Sequence, residues 1–157
     1  MFLVFLSSYA QAAGPSVAVV SNVPFSEPGR VAANVRTECT ELGTKLSKFL
    51  VQFSKKKLVT IEQVNAIDLA ASGYTLDLKI DDAVSMGNAF QGHAKFMQAT
   101  GVLYRDGKEV ARTTFTRNSM GGAFAAYKGS CSVLGRNSKA LGKDFAQWLS
   151  VQVSAYE

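Results

Sequence analysis

The strongest constraint on the fold is an Asp106-Gly107 pair that lies between two strand-like runs, residues 94–104 and 110–117. Both residues of such a pair tolerate the positive φ that a two-residue turn requires, so the pattern is a strong indication of a β-hairpin. The sequence therefore predicts two adjacent antiparallel strands in the second half of the chain.

A third run, residues 74–84, alternates between apolar and polar side chains. Leu76, Leu78 and Ile80 point to one side, and the other side is polar, with Thr75, Asp77, Lys79 and Asp81. This period of two predicts a strand with one buried face and one face toward solvent.

Two further segments are predicted as strands. Residues 16–23 contain a continuous apolar run, which is typical of a strand covered on both faces. Residues 58–61 form a weaker candidate, and residues 62–72 fit either a helical turn or a loop.

Two segments have the three- and four-residue spacing of amphipathic helices. They span residues 35–54 and about 132–151, and their apolar sides carry Val35, Cys39, Leu42, Leu46, Phe49, Leu50 and Phe53, and Leu134, Leu141, Phe145, Trp148 and Leu149. We expect a single α+β domain over residues 13–157, with two helices packed on one face of a mainly antiparallel sheet of about four or five strands.

The first twelve residues resemble an export signal. An apolar run over residues 2–6 precedes Ala10 and Ala12, the A-x-A pattern that signal peptidase accepts, which predicts cleavage after Ala12. No Lys or Arg precedes the run, so the true start could lie upstream of Met1, and a buried amino-terminal strand is the alternative. Export predicts a periplasmic or secreted protein, and no transmembrane segment is predicted.

Cys39 and Cys131 are the only cysteines in the chain. In an exported protein two cysteines favour one disulfide, which here would join the two predicted helices over the sheet. A pair of buried free thiols is the alternative.

The chain of 157 residues carries a net charge of +5, and its cations are scattered. The densest groups are the triplet Lys55, Lys56 and Lys57 and the outer helix positions Arg136, Lys139 and Lys143. These six residues are candidates for binding an anion, although lysines at a helix carboxyl end also suit the helix dipole. We expect no nucleic-acid partner.

Catalytic candidates are few. His93 is the only histidine, so the sequence offers too few ligands for a zinc site. The G-x-S-x-G motif that carries a hydrolase nucleophile is also absent from the sequence. Asp77, Asp81 and Asp82 are the densest carboxylates, and Asp77 and Asp81 share one strand face at a spacing that a glycosidase pair could use. Nothing in the sequence suggests the burial and the cleft that such a pair needs, so a solvated sheet face is the favoured interpretation, and no catalytic residue, metal or cofactor is predicted.

A glycine-rich stretch over residues 118–129 lacks the spacing of a phosphate-binding loop. Gly121, Gly122, Phe124 and Tyr127 are instead candidates for contact with a partner, because interfaces favour aromatic residues. The alternative is that both aromatic side chains pack beneath the loop.

The strand over residues 74–80, the hairpin over 101–110 and the helix over 138–149 resemble a group of small exported bacterial envelope proteins of unknown function. Their fold is similar to the amino-terminal domain of the Tol-Pal protein TolB and to the curli secretion lipoprotein. The resemblance implies a non-enzymatic binding or assembly role, with another envelope protein as partner, and it implies no site residue. The chain lacks the lipobox cysteine of the lipoprotein members. A binder of anionic envelope polymer or lipid and a hydrolase of unknown type remain the alternatives.

Overall fold

The computed structural model describes residues 14–86, 94–120 and 130–156. The strands are β1 (Ser16–Val20), β2 (Thr60–Val64), β3 (Tyr74–Met86), β4 (Ala94–Arg105) and β5 (Lys108–Met120). The α-helices are α1 (Ala33–Glu38), α2 (Leu42–Ser54) and α3 (Ser130–Ala155). Short 3-10 turns, Pro28–Arg30 and Lys55–Lys57, precede α1 and follow α2.

The five strands form one mixed sheet in the order β2-β1-β3-β4-β5. β1 runs parallel to both β2 and β3, whereas β3, β4 and β5 form an antiparallel meander. The long strands are therefore the antiparallel ones, and the predicted α+β class, with helices packed on a mainly antiparallel sheet, is confirmed. β2 and β5 are the two edges of the sheet.

The core lies between one face of this sheet and the helices. Leu76, Leu78 and Ile80 are fully buried on that face, as their alternation predicts. They belong to one cluster with apolar residues of both long helices, among them Leu42, Leu46, Leu50, Leu141, Phe145 and Leu149.

Helices α2 and α3 pack side by side and point the same way. Gly135 of α3 lies next to Lys45 of α2, and Gly142, seven residues later, lies next to Phe49. A Cβ atom on Gly142 would sit 2.7 Å from the Phe49 Cβ and 3.0 Å from the Leu50 nitrogen, so the two backbones meet at this glycine. One turn further along α3, the Phe145 ring covers Gly101 of β4 in the same way.

The structure contains the predicted disulfide between Cys39 and Cys131, whose Cα atoms are 5.1 Å apart. Cys39 lies between α1 and α2, and Cys131 lies in the first turn of α3 rather than before it. The bond therefore links the two parallel helices at their amino-terminal ends.

Several predicted boundaries are wrong. The helix expected over residues 35–54 is interrupted at residues 39–41, where Cys39 leaves helical geometry with φ −105° and ψ 45°. The new start at Leu42 lets Gly43 approach the Val23 carbonyl oxygen so closely that a Cβ atom would lie 2.1 Å from it. The strand expected over residues 58–61 begins only at Thr60, because Leu58 is in left-handed geometry.

Within residues 14–86, 94–120 and 130–156, no helix is both long enough and apolar enough to span a bilayer.

Candidate functional site

The sheet face opposite the helices carries the polar half of the alternating strand. With its neighbours in β4 and β5 it forms a shallow cleft of about 520 Å³, which we call the open-face cleft. Its lining residues are Leu69, Asp77, Lys79, Asp81, Thr100, Val102, Tyr104 and Arg112.

A β-bulge in β3 determines which carboxylates reach this face. Ile80 pairs with Ala99 and Asp82 pairs with Gln98, so Asp81 is the extra residue. A regular strand would turn Asp82 toward the core, but the bulge places Asp81 and Asp82 on the open face and leaves Ala83 fully buried. The bulge therefore explains how consecutive aspartates fit beside a packed core.

Each charged group of the cleft is already engaged by a neighbouring side chain. Asp77 lies 3.0 Å from the Lys79 ammonium, and Asp81 accepts a 2.6 Å hydrogen bond from the Thr100 hydroxyl. Arg112 donates two 2.9 Å hydrogen bonds to Glu109 at the edge of the sheet. These bonds lower the pKa of the Glu109 carboxyl and raise the pKa of the Arg112 guanidinium.

Within the described ranges, no group of three or more His, Cys, Asp or Glu residues is arranged to hold a metal ion.

An apolar groove lies beside the edge strand β5. It has a volume of about 280 Å³ and is lined by Phe115, Asp144, Gln147, Trp148, Val151 and Gln152; we call it the β5 groove. Two of its lining residues, Phe115 and Trp148, contact the buried Phe145 ring edge-to-face, at 5.0 Å and 6.4 Å between ring centroids. Val151 stands at its rim with 55% of its surface exposed.

One end of the groove is closed by an ion pair. The Arg117 guanidinium of β5 donates to both Asp144 oxygens of α3, with one contact at 2.6 Å. These hydrogen bonds raise the pKa of the Arg117 guanidinium.

The carboxyl terminus covers the hairpin end of β5. The Tyr156 hydroxyl donates a 2.9 Å hydrogen bond to the Val110 carbonyl oxygen, and the Arg105 guanidinium donates to the Tyr156 carbonyl oxygen. Among the described residues, the terminal segment covers only the hairpin end of the β5 edge and leaves its second half, next to the groove, uncovered.

The six predicted anion-binding residues fall into two groups. Lys55, Lys56 and Lys57 form the exposed 3-10 turn at the end of α2. Arg136, Lys139 and Lys143 are exposed on the outer side of α3, where Lys139 lies 5.9 Å from the centre of the Phe49 ring. Their anion-binding role stays a prediction.

The predicted partner-binding residues Gly121, Gly122, Phe124 and Tyr127 lie outside the described residues, as do His93 and the predicted signal segment 1–12. Nothing in the sequence predicts the β5 groove. Trp148 reads as part of the apolar side of a helix, and only the sheet order shows that β5 is an edge.

Known proteins share the fold of this chain. No family model matches it, and no curated protein is detectably similar in sequence. Among solved structures, a DUF330 family protein from Xanthomonas campestris has 12% identity and a TM-score of 0.64, over 92% of this chain and 91% of that one. A PelC dodecamer from Paraburkholderia phytofirmans has 17% identity and a TM-score of 0.54, over 84% of this chain and 89% of that one. The specific resemblance to TolB or the curli lipoprotein stays a prediction, and at these identities the chain is similar to PelC and the DUF330 protein in fold.

Proposed function

We propose that the protein is a non-enzymatic binding and assembly module of the bacterial envelope, and that the β5 edge with its groove receives a second copy of the chain. The observation that carries the proposal is the groove itself. An edge strand offers unpaired backbone groups to an incoming strand, and an adjacent apolar groove takes up alternate side chains of that strand.

The charges along this edge are already balanced within one molecule. Arg112 is paired with Glu109 and Arg117 with Asp144, so a partner strand need not supply opposite charge. The dodecameric PelC, which shares the fold, makes a second copy the first occupant to test. Two of the carboxylates that a hydrolase could use, Asp77 and Asp81, are already engaged by Lys79 and Thr100.

Replacing Val151 by glutamate tests the assembly. We expect the unaltered protein to associate with rising concentration in size-exclusion chromatography with light scattering. Val151→Glu is expected to raise the midpoint of association at least about 10-fold, because a buried, unpaired carboxylate at an interface is costly.

Leu69→Glu is the matched control, since Leu69 is also an exposed apolar residue, at 37%, but lies at the open-face cleft. This variant should associate like the unaltered protein. A chain that stays monomeric throughout its soluble range, or equal effects of both substitutions, would contradict assembly through the groove.

The envelope location rests on the signal-like segment and on the disulfide, which oxidising compartments favour. We expect the protein expressed in a Gram-negative host to be recovered from the periplasm with Ala13 as its first residue and without thiols that react with maleimide. Intact mass before and after labelling measures both properties. Recovery from the cytosol with two reactive thiols would refute the proposed location.

A further inference from the structure

Helix α2 ends in a turn of three lysines followed by a leucine, residues 55–58, which we call the basic tip. All three lysines are exposed, and none forms an ion pair within the part of the chain that the structure describes. Leu58 has 82% of its surface exposed, the largest value among the exposed large hydrophobic residues of the described ranges. The tip therefore combines unpaired positive charge with a bare aliphatic side chain.

The conformation of Leu58 is as unusual as its exposure. Its φ of 60° and ψ of 23° are left-handed, and Asp106 in the hairpin turn is the other described residue besides glycine with positive φ. The residue after a helix that adopts this conformation is normally Gly or Asn. A Cβ atom makes the conformation unfavourable, and a leucine side chain offers no local hydrogen bond that would compensate for this cost. Among the described residues Leu58 gains no packing in return, so the described fold does not account for a leucine here.

The backbone beneath Leu58 is firmly held. The Val59 amide donates a 3.2 Å hydrogen bond to the Ser54 carbonyl oxygen, and the Val59 side chain is buried. On the other side Gly14 lies so close that a Cβ atom there would be 2.0 Å from the Leu58 carbonyl oxygen. The fold thus fixes the backbone and leaves the leucine side chain in solvent, which lowers the ordering cost of any contact it makes.

We propose that the basic tip docks on the surface of an anionic lipid bilayer, with Leu58 entering the boundary between headgroups and acyl chains and Lys55, Lys56 and Lys57 facing the lipid phosphates. An anionic bilayer can bind both parts of the tip. The negative surface potential attracts the lysines, and transfer of the leucine side chain into the apolar layer beneath the headgroups is favourable. A soluble anionic polymer would attract only the lysines, because it offers no apolar layer for Leu58. This inference does not depend on the assembly proposed for β5.

Vesicle co-sedimentation of the purified protein tests the docking, with phosphatidylcholine vesicles that contain or lack phosphatidylglycerol. We expect binding only to the anionic vesicles. The K55Q/K56Q/K57Q variant should lower the partition coefficient about 100-fold at low salt, because each lysine near an anionic surface contributes about a factor of five. Leu58→Asn should lower it about 10-fold, and Leu58→Phe should retain binding, because a partly inserted aliphatic or aromatic side chain contributes about that factor.

Two controls keep the result interpretable. The R136Q/K139Q/K143Q variant removes the same charge from the other predicted anion-binding group, on the outer side of α3. If docking takes place through the basic tip and not through that group, this variant should bind nearly as the unaltered protein does. Leu58→Asn should melt at or above the temperature of the unaltered protein, because asparagine tolerates the left-handed conformation, so its weaker binding would not reflect unfolding.

Four outcomes of the vesicle experiment would overturn the proposal. They are no binding to anionic vesicles, equal binding to neutral ones, an undiminished Leu58→Asn variant, and equal losses for the two triple variants. Binding to soluble dextran sulfate that matches vesicle binding and is unchanged by Leu58→Asn would also overturn it, in favour of a polymer binder. The assembly test at Val151 is unaffected by any of these results.

Discussion

Replacing both cysteines by alanine is expected to lower the free energy of unfolding by about 4–5 kcal/mol. Cys39 and Cys131 are 92 residues apart in sequence, so the bond closes a loop that includes most of the sheet and all of α2. In the chain-entropy account, a crosslink over roughly 90 residues removes about that much conformational freedom from the unfolded chain. Such a loss is a large fraction of the total stability of a small domain, which is about 5–15 kcal/mol.

Urea unfolding followed by circular dichroism, with and without a reducing agent, measures this effect. The C39A/C131A variant and the reduced protein should unfold at similar, much lower urea concentrations, whereas reducing agent should leave the variant unchanged. If the variant keeps its midpoint to within the error of the fit, the bond does not stabilise the fold by restricting the unfolded chain.

Gly142→Ala is expected to lower the free energy of unfolding by about 2–3 kcal/mol, although alanine is the better helix former. The new methyl group would lie 2.7 Å from the Phe49 Cβ and 3.0 Å from the Leu50 backbone nitrogen. Backbone cannot move aside as a flexible side chain can, so α2 and α3 would have to separate. The helix propensity gained, about 1 kcal/mol, is smaller than this cost.

Gly135→Ala provides a control in the same helix with the opposite expected sign. Its methyl group would meet only the Lys45 side chain, at 3.8 Å, which is ordinary contact. This variant should be more stable by about 0.5–1 kcal/mol, because the helix gains without a clash. Thermal or urea unfolding of both variants tests the pair, and a stabilised Gly142→Ala variant would show that the helices are not held together at this glycine.

The hairpin turn and the buried side of β3 could be predicted from the sequence, because neighbouring residues determine both features. The Asp106-Gly107 turn has φ values of 51° and 79°, as a hairpin of this kind requires. The alternation of Leu76, Leu78 and Ile80 identified the buried side of β3, because a strand with one covered face needs that period.

The features that the sequence analysis missed arise from contacts between distant segments. The parallel pairing of β1 with β2 and β3 leaves no local pattern, since any of these strands could also pair antiparallel. The bulge at Asp81 shifts the alternation of buried and open-face residues by one position after Ile80. A prediction that assumes strict alternation cannot locate this shift. Leu58 looks like the first residue of a strand, and only its backbone angles show that it ends a helix instead.

The parallel arrangement of α2 and α3 also has an electrostatic consequence. Their peptide dipoles point the same way, so the partial positive charges at their amino-terminal ends lie side by side and repel one another by up to about 1 kcal/mol. Cys39 and Cys131 link those ends, and Glu38 and Glu41 lie beside the bond, where carboxylates offset the positive field. When the disulfide is reduced, we expect the amino-terminal ends of α2 and α3 to separate first. The Tyr156 hydrogen bond still holds the opposite end of α3 to the hairpin.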